Sequence, residues 1–243
     1  MRYLMTFSYD GSCFHGYERQ KNLDTVQGLI ETVLTSVNNG SSVTIQSSGR
    51  TDVLVHALNQ KAHFDLDVKV NLYSLKKHLN KKFEGKIYVK NIELVSEKFH
   101  ARYNVKKKTY VYKINVGEFN PIEKDIVYQY CKELNIELLN EAKEYLIGKH
   151  DFKAFTPTEN VRDNYVREIY DIKIVNNNDY VFIYITGNGF LRYMIRIIVG
   201  LFLEINEGKK NIIDIKNILE GKDRSKNAKT VDAEGLYLYE VIY

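Results

Sequence analysis

A run of small polar and charged side chains, Ser47-Ser48-Gly49-Arg50-Thr51-Asp52, comes directly after a short predicted strand. Small residues at the end of a strand can place a carboxylate at the edge of a cleft, here with a guanidinium two residues away. The charge of Arg50 would keep Asp52 ionised at neutral pH, as a carboxylate nucleophile requires. A turn in which Asp52 caps the next segment and Arg50 lies on the surface also explains these residues.

Two arginines lie four residues apart in a segment whose apolar spacing predicts a helix over Phe190–Asn206. On such a helix Arg192 and Arg196 share one face. A buried arginine is costly unless a carboxylate meets it, so the pair either meets a buried acid or forms an ordinary solvent-facing stripe. Gly200, one turn beyond Arg196, would allow another backbone segment to approach that face closely.

Charge is distributed unevenly along a chain whose net charge is only +4. Residues 118–151 carry eight acids and four lysines, whereas residues 98–113 carry six cations and no acid. The six are Lys98, Arg102, Lys106, Lys107, Lys108 and Lys113. This segregation favours a basic face of the kind that binds a phosphate backbone, although a solvated lysine cluster beside a strand has the same composition.

Two tyrosines, Tyr110 and Tyr112, follow the lysines of this basic segment in a predicted strand. A tyrosine beside a basic run can stack on an unpaired base while the lysines hold the phosphates. The chain has 19 tyrosines and no tryptophan, so a structural role is the alternative for either one.

The composition is that of a globular protein. At 243 residues the chain can form one large or two small domains, and 44% hydrophobic with 27% charged residues excludes a disordered or fibrous chain. There is no apolar run of about 18 residues and no signal-peptide pattern, so we expect a soluble cytoplasmic protein without membrane contact.

The sequence gives no indication of a metal or a nucleotide cofactor. Cys13 and Cys131 are far apart, and the six histidines do not show metal-ligand spacing. No phosphate-binding loop, nucleophile elbow or dinucleotide-binding glycine motif occurs. We therefore expect no cofactor and no metal.

The elements that position these residues are read from apolar periodicity. In the first half we predict strands over Tyr3–Tyr9, Val43–Ser47, Gln60–Asp65 and Lys86–Val95, and helices over Val26–Val37 (capped by Asp24, with Gln27 in a capping box) and Leu72–Phe83. In the second half we predict strands over Lys108–Val116 and Leu236–Tyr243, a hairpin of Tyr165–Val175 and Tyr180–Thr186, and helices over Ile136–Ile147 (capped by Asn135), Phe190–Asn206 and Ile212–Leu219. This order predicts an α+β fold with two domains, residues 1–104 and 105–243.

These segments together resemble the tRNA pseudouridine synthase A family over essentially the whole chain. The resemblance is carried by Thr25-Val26-Gln27-Gly28, Ser48-Gly49-Arg50-Thr51-Asp52 with Val55-His56-Ala57, Gln60 and His63-Phe64, Phe99-His100-Ala101-Arg102-Tyr103, Lys108-Thr109-Tyr110-Val111-Tyr112, Gly187 to Arg196 with Ile198-Val199-Gly200, and Ala233 to Leu238 with Val241 and Tyr243.

The resemblance implies a fold, an activity and partners. It implies two α/β-sandwich-like domains whose antiparallel sheets join into one extended sheet around a central basic cleft. It also implies a homodimer that isomerises uridines 38, 39 and 40 of the tRNA anticodon arm to pseudouridine, without cofactor or metal.

Roles for individual residues follow from the same resemblance. Asp52 is expected to be the nucleophile, Tyr110 to stack on the base and serve in deprotonating C5, and Arg196 to pair with Asp52. Arg50 is expected to help displace the base and hold its phosphate. The residues expected to bind the RNA backbone are Arg102, Lys106, Lys107 and Lys108.

The chain departs from the family pattern in two places. Val53-Leu54 follows the aspartate where the family usually has Ala-Gly, which demands either a different backbone or a bulkier cleft wall. The stretch Asp151–Tyr165 also looks atypical. Two alternatives therefore stay open: a paralogue acting on another tRNA arm or on ribosomal RNA, and a non-catalytic RNA-binding protein on the same scaffold.

Overall fold

The computed structural model describes all residues, 1–243, and contains ten strands and five α-helices. The chain folds into two compact units, one formed by residues 1–106 and 237–243 and the other by residues 107–236. The sequence-based division placed the last strand in the second domain. In the structure its residues from Tyr237 onward belong to the first unit.

The first unit is a sheet with two helices. Its elements are β1 (Arg2–Tyr9), α1 (Val26–Val37), β2 (Gln46–Ser47), β3 (His56–Asp65), α2 (Leu72–Lys82), β4 (Ile87–Leu94) and β10 (Leu236–Ile242). The strand order is β4-β1-β3-β10, and β2 also pairs with β3. The apolar side chains of β1 and β3 are buried on the face where Met5, Phe7 and Ala62 lie.

The second unit is a sheet with three helices. Its elements are β5 (Lys107–Asn115), β6 (Tyr128–Gln129), α3 (Ile136–Lys143), β7 (Gly148–Asp151), β8 (Val166–Asn177), β9 (Tyr180–Gly187), α4 (Met194–Asn206) and α5 (Ile213–Gly221). The strand order is β5-β9-β8-β7, with β6 beside β5. The predicted hairpin of β8 and β9 and the Asn135 cap of α3 are confirmed.

The predicted α+β class is confirmed, but the sheets are mixed rather than antiparallel. Strand β10 pairs in parallel with β3, and β6 pairs in parallel with β5. Each of these short pairings follows a long connection, so no hairpin geometry forces an antiparallel direction. No helix has the length and apolar character needed to cross a bilayer, and no group of three His, Cys, Asp or Glu side chains is placed to bind a metal ion.

The start of α1 differs from the prediction. Thr25, not Asp24, is the capping residue, since its hydroxyl accepts a hydrogen bond from the Gly28 amide at 3.2 Å. Asp24 lies one residue too early to reach that amide. The predicted capping box is absent because the Gln27 side chain donates to Glu31 at 2.8 Å instead.

The predicted strand over Val43–Ser47 is reduced to Gln46–Ser47. Val43 and Ile45 are buried as the pattern indicates, but side chains of α1 satisfy their amides. The Val43 amide donates to the Thr35 hydroxyl and the Ile45 amide to the Glu31 carboxylate. These bonds fix the chain entering β2, and so fix where the next loop begins.

Candidate active site

The loop carrying Asp52 joins β2 to β3 and is anchored at its start by a buried polar network. The Ser48 hydroxyl donates to Gln60 Oε1 at 2.6 Å, and Gln60 Nε2 donates to the Gly49 carbonyl at 2.9 Å. Ser48 and Gln60 are both fully buried. A fully satisfied network of this kind rigidifies the backbone that it holds.

The residues next to Asp52 are fixed as well. The Thr51 hydroxyl is hydrogen-bonded to the Tyr9 hydroxyl at 2.8 Å, and the Thr51 carbonyl accepts from the Tyr17 amide at 3.2 Å. Burial raises the pKa of Tyr9 and of Tyr17, so both phenols stay neutral at physiological pH. The Asp52 carbonyl accepts from the Val55 amide at 3.2 Å, which closes a turn with the half-buried Asp52 at its start.

The turn is also supported from behind by a close backbone contact. A methyl group at Gly11 would overlap the Val55 carbonyl, so only glycine fits there. The Gly11 amide donates to His56 Nδ1 at 3.0 Å, and the His56 ring stacks on Tyr237 with centroids 4.5 Å apart. The end of the Asp52 loop is therefore held by contacts from β10 and from the segment after β1.

The Val53-Leu54 departure keeps a glycine-like backbone. Leu54 has φ +66°, in the left-handed region that glycine adopts without strain and leucine does not. Val53 and Leu54 are both exposed. The sequence left open either a different backbone or a bulkier cleft wall. The structure shows a bulkier apolar surface beside Asp52 on a strained turn.

An alanine variant is ordinarily more stable than a glycine variant at the same position. At Leu54 we expect the opposite order of stability. We expect Leu54→Gly to be more stable than Leu54→Ala by about 0.5–1 kcal/mol, because alanine keeps the Cβ strain at positive φ while glycine relieves it. Urea unfolding of the two variants measures this difference. Equal stabilities, or a more stable alanine variant, would show that the turn relaxes to another conformation.

Arg50 makes an ion pair with Glu18. Arg50 Nη2 lies 2.8 Å from Glu18 Oε1, and both side chains are exposed. Exposed ion pairs contribute at most about 1 kcal/mol, so another anion can replace Glu18. Glu18 was not singled out from the sequence, because it lies 32 residues before Arg50.

Tyr110 lies in the middle of β5 in the second unit, opposite Ile185 of β9. Its ring meets Phe190 edge to face, with centroids 5.4 Å apart. Tyr112, the other candidate, is fully buried and donates its hydroxyl proton to the Asp232 carbonyl at 2.7 Å. Tyr112 is therefore a core residue, and Tyr110, the candidate for stacking, is itself largely buried at 9% exposure.

Arg196 lies in the first turn of α4, held by two contacts. Its Nε donates to the Val231 carbonyl at 2.7 Å, and its guanidinium carbon lies 4.8 Å from the centre of the Tyr193 ring. A cation over an aromatic face is attracted by the ring quadrupole. Tyr193 was not predicted for this role, although its position between two arginines was a usable signal.

The helix prediction over Phe190–Asn206 is wrong at its start. Tyr193 has φ +62°, a left-handed conformation that ends regular structure, so α4 begins at Met194. Arg192 consequently precedes the helix and does not share a helix face with Arg196. Arg192 is exposed, and its guanidinium carbon lies 4.6 Å from the centre of the same Tyr193 ring.

The atypical stretch Asp151–Tyr165 supports the start of α4. Phe152 and Phe155 are fully buried, and the Thr156 hydroxyl donates to the Arg192 carbonyl at 3.0 Å. Residues 152 and 154–156 are therefore part of the core of the second unit, whereas residues 158, 159 and 161–164 are exposed. The hydrogen bond from Thr156 fixes the backbone just before Tyr193.

The four predicted backbone-binding cations lie at the surface. Arg102, Lys106 and Lys107 are exposed and Lys108 is half-buried. The first two belong to the first unit and the other two to the second. Asp52 and Arg50 likewise belong to the first unit, and Tyr110 and Arg196 to the second.

The segment that carries Arg102 is attached to β3 through His63. The Ala101 amide donates to His63 Nδ1 at 3.1 Å, so the ring must be neutral at that nitrogen. His63 is almost fully buried. Burial, followed by the charges of Arg2 and His100, lowers the pKa of His63 to about 4.

His63 should make stability depend on pH. Its pKa is about 4 in the folded chain and about 6.5 in the unfolded chain. The unfolded state therefore takes up the proton first on acidification, and the stabilisation, complete above pH 6.5, is lost as the pH falls. Between pH 7.5 and 5.0 we expect wild type to lose on the order of 1–2 kcal/mol more stability than His63→Asn, measured by urea unfolding at each pH. Parallel pH profiles would contradict this.

Comparison with known proteins relates this chain to a protein family. A family model described as tRNA pseudouridine synthase matches residues 5–104 and 142–243. Asp52, Arg102 and Arg196 lie inside the matched ranges, whereas Tyr110 lies between them.

Curated relatives match over the full length of the chain. A protein named tRNA pseudouridine synthase A from Anoxybacillus flavithermus is 40% identical over 242 residues, covering 100% of this chain and 98% of the relative. Proteins of the same name from Lactobacillus helveticus (39% identical, covering 100% and 94%) and Caldicellulosiruptor saccharolyticus (40% identical, covering 99% and 98%) match similarly. The chain belongs to the tRNA pseudouridine synthase family that this model describes.

Proposed function

We propose that this protein converts uridines 38, 39 and 40 of the tRNA anticodon arm to pseudouridine, with Asp52 as the nucleophile. Family membership and relatives named tRNA pseudouridine synthase A support a tRNA substrate. The observation that carries the proposal is the Asp52 loop. Its backbone is held by buried hydrogen bonds on the residues before Asp52 and by a closed turn on those after it.

The reaction is an isomerisation that needs no co-reactant. The target uridine leaves its stack, with the exposed Arg50 exchanging Glu18 for a phosphate of the flipped nucleotide. The Asp52 carboxylate attacks C1′ of the ribose or C6 of the base, and the bond between N1 and C1′ breaks. The uracil rotates, C5 bonds to C1′, the carboxylate is released, and the proton on C5 is replaced by one on N1.

Two residues of the second unit complete the proposed chemistry. Tyr110 stacks on the uracil, and its hydroxyl takes part in removing the C5 proton. Arg196 pairs with Asp52 and keeps it ionised. The hydrogen bond to Val231 and the Tyr193 ring support this role, because they limit the orientations that the Arg196 guanidinium can adopt.

The partners belong to the same proposal. Arg102, Lys106, Lys107 and Lys108 contact RNA phosphates and fix the register without reading sequence. The protein acts in the cytoplasm as a homodimer, without cofactor or metal. Light scattering of the purified protein with and without tRNA tests the dimer.

The substrate positions are tested with two tRNA transcripts containing [5-³H]uridine. One has uridines at positions 38, 39 and 40, and the other has cytidines there, with the stem partners changed to keep the pairing. We expect tritium release that scales with the uridines present in the first transcript and none from the second. Equal release from both would assign the activity to another arm, and no release from tRNA or ribosomal RNA, despite binding, would indicate a non-catalytic RNA-binding protein.

A further inference from the structure

Residues 69–90 of the first unit form a second strongly basic segment, separate from the cations already assigned. They contain seven lysines and one acid, Glu84, and so carry more net positive charge than the whole chain, which is +4. The segment consists of α2, a turn and the start of β4. Lys77, Lys81, Lys82 and Lys86 are all exposed.

The charge of these lysines is not compensated within the protein. None of the four makes an ion pair, and no other lysine of the first unit does so either. In the second unit, by contrast, lysines pair with acids repeatedly, as Lys132 does with Glu207 and Lys222 with Asp151. Lysines without an acidic neighbour can neutralise the phosphates of a polyanion, and the counterions that this releases from the polyanion favour binding.

The end of this segment lies at the same edge of the sheet as the Asp52 loop. In the strand register, Tyr9 at the end of β1 is opposite both Ala57 at the start of β3 and Ile87 at the start of β4. The Asp10 amide donates to the Lys86 carbonyl at 3.1 Å, and Asp10 Oδ1 lies 3.2 Å from His56 Nδ1, four residues after Asp52.

A turn directs the lysines toward that edge. Phe83 is fully buried behind α2, and Glu84 and Gly85 both have positive φ, which reverses the chain within two residues. Lys81 and Lys82 in the last turn of α2 and Lys86 after the reversal therefore border one exposed turn. We call these three residues the α2 rim.

From this charge and placement we propose that the α2 rim binds the phosphate backbone of the tRNA next to the flipped nucleotide. This rests on the proposed function, because it assumes that the RNA reaching Asp52 is tRNA. An RNA strand that enters the Asp52 loop must continue past its edges, and the rim offers three uncompensated cations at one of them. Such contacts fix position and affinity and take no part in the chemistry.

The test is a triple variant, Lys81→Gln/Lys82→Gln/Lys86→Gln, compared with Lys149→Gln/Lys173→Gln/Lys226→Gln. The control removes three exposed, unpaired lysines of the second unit, so both variants change the net charge equally. Binding to a tRNA transcript is measured by filter retention across a range of KCl concentrations. Thermal melting of each variant checks that the fold is retained.

We expect the rim variant to bind tRNA about tenfold or more weakly at roughly 0.1 M KCl, with a slope of log K against log salt that is smaller by about 2 to 3. The control should stay within about twofold of wild type, and kcat of the rim variant should be unchanged at saturating tRNA. Equal weakening in both variants, an unchanged salt slope, or a lowered kcat would overturn the proposal. Absence of tritium release by wild type would overturn the proposed function instead, since the binding comparison does not depend on turnover.

Discussion

Asp52→Asn is expected to abolish pseudouridine formation while leaving tRNA affinity within about threefold of wild type. The carboxamide has nearly the same shape as the carboxylate but is not a nucleophile, so the rate should fall by about 10⁴-fold or more. Ser48, Thr51 and the backbone of Asp52 make hydrogen bonds that hold the loop, and the substitution leaves these hydrogen bonds in place. Single-turnover tritium release from [5-³H]uridine tRNA measures the rate, and filter binding measures affinity.

A matched aspartate provides the control for this loss. Asp24 is exposed, and its backbone carbonyl accepts a hydrogen bond from the His15 amide. Asp24→Asn keeps that bond and should react at the wild-type rate. If Asp52→Asn retained a tenth or more of the wild-type rate, Asp52 would not be the nucleophile, and another group would have to attack the nucleotide.

The sequence predicted those elements whose pattern is local. The alternation in β1 and the apolar spacing of α1 both result from one buried face on a regular backbone, which leaves its period in the sequence. The Asp52 turn was predicted for a similar reason. Small polar residues there have few ways to continue a strand, and the structure places a turn at that point.

Elements whose limits depend on distant contacts were predicted less well. Val43 and Ile45 have the pattern of a strand, but α1 side chains take their backbone donors. Phe190 and Leu191 continue the apolar spacing of α4 because Phe190 packs against Tyr110 and Leu191 is buried. The left-handed Tyr193 between them and the helix has no signature in that spacing.

Pairing between residues far apart in the chain could not be predicted at all. The parallel pairing of β10 with β3 joins Tyr237 to His56, and no periodicity relates residues so far apart. The same holds for the ion pair of Arg50 with Glu18. At the site, therefore, the sequence singled out Arg50 and Asp52 as candidates, whereas the ion-pair partner of Arg50 had to come from the structure.

Gly200→Ala is expected to destabilise the protein by about 2–3 kcal/mol, although alanine normally stabilises a helix interior by about 0.5–1 kcal/mol relative to glycine. Gly200 lies inside α4, where the sequence predicted a close backbone approach, and the structure confirms it: a methyl group there would overlap the Lys229 carbonyl oxygen and lie 3.3 Å from its carbon. The segment after Lys229 must therefore move away from the helix. Urea unfolding gives the change in stability.

The displaced segment is also the one that holds Arg196. Its Nε donates to the Val231 carbonyl at 2.7 Å, so the variant should lose tritium-release activity at temperatures where it is still folded. Gly221→Ala is the matched control, because Gly221 ends α5 and a methyl group there meets nothing within 4 Å. We expect that control to stay within about 0.5 kcal/mol of wild type. Equal stability of the two variants would show that the segment from Lys229 to Val231 moves without a loss of folding free energy. The Tyr193 ring would then be the only one of the two contacts that still orients Arg196.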